Sequence, residues 1–226
     1  MSNKKNNSAI QSFDISWIDP NKPMVAICFD DGTMEPTNGK RIIDALNQNG
    51  FHATFFYVAD WISSPDNVKY AFESGHEIAN HTVTHPYLTK LSATEIRNEY
   101  DQAAAKLKSI IGTEPSKLLR PPYLDYNETV QQTLHEVPFI TCDIDTEDWN
   151  KASKDQIINT IKTNMNNGHL KNAIVLAHEN HSTTASAMEE IFPYLKENGW
   201  QVVAVSEMFA VNSKELQGGQ VYTRCQ

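Results

Sequence analysis

Residues 24–32 read MVAICFDDG, an apolar run that passes directly into two adjacent carboxylates, Asp30 and Asp31, and a glycine. An unbroken apolar stretch of that length between Pro23 and Gly32 has the pattern of a strand buried on both faces. It is not alone. HATFFYV (52–58), HEIAN (76–80), KLLR (117–120), PFITCDI (138–144), NAIVLAH (172–178) and WQVVAV (200–205) are further short apolar, β-branched or aromatic runs. Amphipathic stretches such as NGKRIIDALNQNG (38–50) and TEIRNEYDQAAAKLKSIIG (94–112) lie between them. Ser92 with Glu95 and Ser153 with Gln156 have capping-box spacing, and Gly50, Gly112, Gly168 and Gly199 stand where helices end. Strand alternating with helix predicts a parallel sheet covered by helices, and seven such units come one short of an eightfold barrel. The expected fold is one α/β domain, barrel-like.

Composition narrows the function classes. The 226 residues suffice for one sizeable core, and 40% hydrophobic with 21% charged residues is ordinary for a globular protein. A formal charge of −9, with no basic cluster beyond the short NKK near the start, argues against a nucleic-acid binder. No run approaches 18 apolar residues, so no membrane span is expected. The polar start MSNKKNNS reads as a tail. Cys28, Cys142 and Cys225 fit neither a disulfide framework nor a zinc motif, and Cys28 and Cys142 read as buried thiols.

Such architectures gather their chemistry at the carboxyl ends of strands, and polar clusters follow the strand-like runs here. Asp30 and Asp31 by themselves also read as a strand ending in an Asp-Gly turn. After HEIAN, His81 and His85 stand four apart, a spacing that one helical turn brings to one side; alone they read equally as surface histidines by a proline turn. Joined to Asp31 they form an Asp-His-His set suited to a catalytic zinc, cobalt or similar divalent ion. RPPY (120–123) is a stiff loop with an arginine, DTEDW (145–149) an acidic loop with Trp149, and AHE (177–179) places His178 at a strand end, where a lone histidine is commonly structural.

In order and spacing, FDDG, HTVTH, RPPY, DTEDW and LAH resemble the motifs of the polysaccharide deacetylases, carbohydrate esterase family 4, over residues 23 to 210. The resemblance implies a distorted (β/α) barrel of seven or eight mostly parallel strands in a single domain. It implies Asp30 as general base, Asp31, His81 and His85 as ligands of one divalent metal, and Arg120 as the partner of the base. Tyr123 would hold the oxyanion through its backbone N–H, His178 would be the general acid, and Asp148, or less readily Asp145, would tune it. Leu176, with Tyr123 and Trp149, would receive the acetyl group and its sugar. Two departures stand beside this site: Thr33 where the family often has proline, and Glu179 where it often has aspartate. His181 reads as a surface loop residue.

The division expected is a tail and lead-in at 1–22, a catalytic domain at 23–210 and a C-terminal tail at 211–226. The expected partner is an acetylated polysaccharide, with O-acetyl xylan ahead of the N-acetylglucosamine of chitin or peptidoglycan. Trp61, Tyr123 and Tyr126 are candidates for stacking on sugars. A monomer, or one module of a larger protein, acting outside the cell is expected, with a cytoplasmic site the alternative. Competing classes are a phosphodiesterase, which would need further carboxylates and cations, and a non-catalytic carbohydrate-binding module, which would not need Asp30 and His178.

Overall fold

In the computed structural model, which describes residues 14–226, the stretch at 24–31 is β1 (Met24–Asp31). The chain continues through α1 (Pro36–Asn49), β2 (Thr54–Tyr57), α2 (Pro65–Glu73), β3 (Glu77–Asn80), α3 (Ala93–Ile111) and α4 (Glu128–Thr133). Then follow β4 (Phe139–Ile140), β5 (Ile144–Asp145), α5 (Lys154–Asn166), β6 (Ile174–His178), α6 (Ser182–Glu197), β7 (Gln201–Val202), α7 (Val205–Val211) and β8 (Val221–Tyr222). The main sheet runs β3-β2-β1-β6-β5, with β7 also on β1 and β4 paired to β8, and each of these ladders is parallel.

Single parallel bridges from Asn80 to Leu119 and from Leu119 to Phe139 carry the wall from β3 to β4 and bend the sheet into a distorted barrel. KLLR therefore contributes one bridging residue, Leu119, rather than a strand. Pro121 and Pro122 follow at once and have no N–H to donate to a ladder. PFITCDI likewise divides in two. Thr141 N donates to Tyr222 O while Asp143 N donates to Ile174 O, so the backbone changes partner within three residues.

β1 shows how the layers form. Val25, Ile27 and Phe29 join the cluster under α1, α5 and α6, whereas Met24, Ala26 and Cys28 join the barrel-side cluster with Phe56, Ala79 and Ile174. This is the period-two alternation of a strand buried on both faces. It places Asp30, next in the even series, at the mouth of the barrel. Both expected capping boxes are formed, at Ser92–Glu95 and Ser153–Gln156. Gly50 and Gly112 end α1 and α3 at φ 67° and 79°, a region costly for other residues.

Both ends of the described chain pack onto the barrel, and one burial expectation is corrected. Residues 211–226 are not a free tail: β8 pairs with β4, and Leu216 and Cys225 are buried. The lead-in packs as well where it is described, since Ile18 is buried and Trp17 Nε1 donates to Glu207 at 3.2 Å; residues 1–13 lie outside the described residues. Cys28 is buried as expected, but Cys142, in the break between β4 and β5, is only half-buried. Among the described residues no helix is long and apolar enough to cross a membrane.

Candidate active site

The carboxyl ends of β1, β3 and β6 converge on one cleft of about 490 Å³. It contains Asp30, Asp31, His81, His85, Tyr123, Asp145, Trp149, Leu176 and His178. Asp31 Oδ1 lies 3.8 Å from His81 Nε2 and 3.9 Å from His85 Nε2, and the two imidazole nitrogens are 3.2 Å apart. One ligand atom from each residue falls within a 4.8 Å group. His81 Nδ1–H donates to Arg120 O at 2.6 Å, which leaves the Nε2 lone pair free for a metal. Burial holds both imidazoles below their ordinary pKa and hence neutral, His81 by far the more. Bonds of 2.0–2.1 Å in a tetrahedral site put ligand atoms about 3.3 Å apart, so this set closes on a zinc-sized ion with small adjustments.

The two histidines do not share a helical turn. They lie in a loop whose Thr82 and His85 have φ 71° and 61°. Hydrogen bonds compensate for the strain: Thr82 N donates to Asn80 Oδ1 and His85 N to Thr82 Oγ1. Glu99 on α3 accepts from Val83 N, Thr84 N and the Thr84 hydroxyl. Spacing four brings the rings together here through that knotted loop.

Asp30, 3% exposed, lies with its Oδ2 3.8 Å from His81 Nε2 and 3.2 Å from Arg120 Nη1. Burial raises its pKa to about 6 against the opposing charges of Arg120 and His178. Arg120 is fully buried with its guanidinium 4.7 Å over the Phe56 ring. A buried arginine of this kind is tolerable because the carboxylate and the aromatic face compensate for lost hydration.

His178 at the end of β6 faces Asp148, with Nδ1 2.7 Å from Oδ1. Asp148 Oδ2 accepts from His178 N at 2.7 Å and from the Thr184 hydroxyl at 2.6 Å. Burial alone would depress the histidine, but the bond and charge of Asp148, with Asp30 and Asp31 behind, carry it up to about 9. Asp145 points elsewhere, accepting from Trp149 Nε1 at 3.2 Å and Glu147 N at 2.7 Å. Between the two candidates, geometry thus puts Asp148 on the histidine.

The walls complete the cleft. Tyr123 sits at φ 58°, and the turn's bonds run from Leu124 N to Pro121 O and from Asp125 N to Pro122 O, so neither uses the Tyr123 N–H. Its ring meets His85 at 4.5 Å on one side and stacks on Tyr87 at 4.0 Å on the other. Trp61 covers His85 at 4.9 Å. Leu176 lies on the floor with 6% exposure, and Trp149 stands 57% exposed at the rim. Tyr126 is outside the cleft lining, against Phe139. His181 precedes α6, half-buried and 6.0 Å from the His178 ring.

Sequence reasoning passed over Thr184, Asn180 and the burial of Glu179. Asn180 Nδ2 donates to Asp31 Oδ2 at 3.1 Å. Glu179 is 1% exposed with neither carboxylate oxygen partnered, and its pKa rises to about 8 through burial and the nearby Asp31 charge. The only sequence signal was proximity to His178 in AHENH.

A polysaccharide deacetylase family model matches residues 18–141. The chain is 30% identical over 198 residues to the peptidoglycan-N-acetylmuramic acid deacetylase PdaC of Bacillus subtilis, covering 87% of this chain and 41% of that protein. It is 32% identical to a bifunctional xylanase/deacetylase of Pseudobutyrivibrio xylanivorans, covering 84% and 31%. The chain thus spans less than half the length of these two relatives. A solved family 4 acetyl xylan esterase from Clostridium thermocellum, in complex with a cobalt ion, superposes at a TM-score of 0.80 with 26% identity, covering 89% of this chain and 98% of the other. With its parallel barrel and a cleft that holds Asp30, Asp31, His81, His85 and His178 together, the chain belongs to the polysaccharide deacetylase family, metal-dependent carbohydrate esterases of family 4.

Proposed function

We propose that this chain removes acetyl groups from an uncharged extracellular polysaccharide, O-acetyl xylan foremost. One observation carries the reading. Asp30 and Asp31 each lie 3.8 Å from His81 Nε2, and the same cleft holds His178 paired to Asp148.

A base, a metal-ligand set and an acid are what hydrolysis of an acetyl ester or amide requires. Asp31, His81 and His85 would hold a divalent ion, which when bound would supply Lewis acidity toward the acetyl carbonyl and lower the pKa of water. Asp30, kept anionic near neutrality by Arg120, takes the proton of the attacking water. The Tyr123 N–H, which the bonds of its turn leave unused, is the donor assigned to the developing oxyanion. His178, held protonated by Asp148, delivers a proton to the departing sugar oxygen or nitrogen.

The preference for an uncharged glycan follows from the lining. Among the described residues no lysine or arginine side chain lines the cleft, whereas Asp30, Asp31 and Asp145 do. A bound divalent ion and the protonated His178 would offset those carboxylates, so the cleft offers an anionic sugar no net attraction, while the exposed rings of Trp149 and Tyr123 suit neutral sugar faces. A second reading, N-acetylglucosamine polymers, is favoured by the strongly protonated His178, because an amine leaves only with a proton. The test is acetate release from acetylated xylooligosaccharides and from chitooligosaccharides, with and without chelator. Chelator-sensitive release with higher kcat/KM on the xylan series supports the proposal, and higher kcat/KM on the N-acetyl series replaces it with the second reading.

A further inference from the structure

We infer that Asn180 is a positioning residue that selects which oxygen of Asp31 is offered to the metal. The inference rests on Asp31, His81 and His85 being the metal set. A carboxylate has two equivalent oxygens and turns about its Cβ–Cγ bond. In this cleft the two are made unequal: Oδ1 faces both imidazole Nε2 atoms at 3.8 and 3.9 Å, while Oδ2 accepts from Asn180 Nδ2 at 3.1 Å. An ionised carboxylate can only accept, so the Asn180 amide must present its NH₂ to it, and its orientation is settled by chemistry. Metal-ligating groups held by such outer partners are pre-oriented, and the ion then need not order them.

The donor is itself held in place from three sides. Two residues earlier, His178 N is bonded to Asp148 Oδ2 at 2.7 Å. The Asn180 carbonyl accepts from Asn38 Nδ2 on α1 at 3.3 Å. Between them, Glu179 is pressed against α1, where its Oε2 lies 2.6 Å from the point a Cβ on Gly39 would occupy. Gly39 sits inside α1, where glycine costs about 1 kcal/mol relative to alanine. Its absent side chain is the room that Glu179 fills. Residues 178–180 are thus a short strap, sealed on α1, that carries the acid histidine at one end and the Asp31 clamp at the other.

Removing an outer partner of a metal ligand typically weakens affinity or activity about 10–100-fold. The full chain is stripped with chelator and titrated with Zn²⁺ against a chromogenic competitor, as wild type, Asn180→Leu, Asn180→Ala and Asp31→Ala. Leucine keeps the volume and removes the donor, and alanine at this half-buried position removes both. The expected result is a loss of Zn²⁺ affinity of about 10–100-fold in both Asn180 variants, with metal-free melting temperatures near wild type. Wild-type affinity in both overturns the inference. So does a weakened affinity accompanied by an equally lowered metal-free melting temperature, which marks a merely structural role. Undiminished affinity in Asp31→Ala instead overturns the metal assignment itself, so the two failures are separable.

Discussion

Replacing Asp148 with asparagine isolates the electrostatic part of the acid's work. Asp148, with smaller contributions from Asp30 and Asp31, carries His178 from 6.5 up to about 9 in spite of burial. Asparagine keeps the shape and removes the charge, and burial, the largest single influence, then opposes only the smaller pull of Asp30 and Asp31, so the imidazole returns to about 6.5 or below. At pH 8 the protonated fraction then falls from about 0.9 to about 0.03, a loss of about 30-fold for a reaction that needs the imidazolium. The assay is kcat/KM against pH from 5 to 10 on acetylated xylooligosaccharides with saturating metal. The alkaline limb is expected to move from near 9 to near or below 6.5. An activated aryl acetate, whose phenolate leaves without a proton, should lose far less. Stability has its own sign. His178 is raised, so its contribution is complete below the unfolded value of 6.5 and is lost as pH rises through about 9. Asparagine also leaves the donors His178 N, His178 Nδ1, Trp149 N and the Thr184 hydroxyl competing for one acceptor, a cost of about 1–3 kcal/mol and a Tm drop on the order of 5 °C. An alkaline limb unmoved in the folded variant would refute the pairing as the source of the acid's protonation.

Two further outcomes follow from the same cleft. Asp30→Asn should keep the metal and lose about 10²–10⁴-fold in kcat, whereas Asp31→Asn should lose metal affinity first; metal titration and rate measured on both variants distinguish them, and matching behaviour would count against separate roles. Glu179 is a buried acid whose native pKa is raised to about 8, so the native state holds its proton longer than the unfolded chain and stability falls as pH climbs from about 4.5 to 8. Glu179→Gln should therefore raise the Tm of the metal-free protein at pH 8, by about 2–4 °C per kcal/mol relieved, and little at pH 5; an equal difference at both values would sink this account.

Much of this was legible because burial writes itself into composition. β1, β2 and β6 are closed on both faces and appear as largely apolar runs, with the side chains that bear chemistry at their ends, whereas the equally buried β3 carries Glu77 and Asn80. What failed depends on the chain's surroundings rather than its pattern. β8 is two residues long, and Val221 and Tyr222 are a strand only because β4 is there to pair with them. PFITCDI reads as continuous because its break lies in which neighbour accepts each N–H, and that has no sequence period. Asn180 was invisible for a similar reason: an asparagine after a strand is an ordinary loop residue until the carboxylate it faces is known.

Adjacency of Asp30 and Asp31 poses a geometric difficulty as well as an electrostatic one. Neighbouring residues of a strand point to opposite faces, so a regular β1 would aim Asp30 into the barrel and Asp31 toward the helices. Both carboxylates nevertheless stand 3.8 Å from the same imidazole nitrogen. The backbone supplies the difference. Asp31 adopts φ 81°, a left-handed conformation that costs a non-glycine residue about 1–3 kcal/mol, with Gly32 at φ 139° beyond it. The same device recurs around the cleft at Thr82, His85, Tyr123, Leu124 and Glu147, each with positive φ. Strain at six such positions persists because parallel strands and buried loops hold the chain on either side. Two like charges at the end of an apolar strand are therefore tolerated for two linked reasons. Arg120 and the imidazole set offset their repulsion, and the strained residue turns the second carboxylate back to where its neighbour can act beside it.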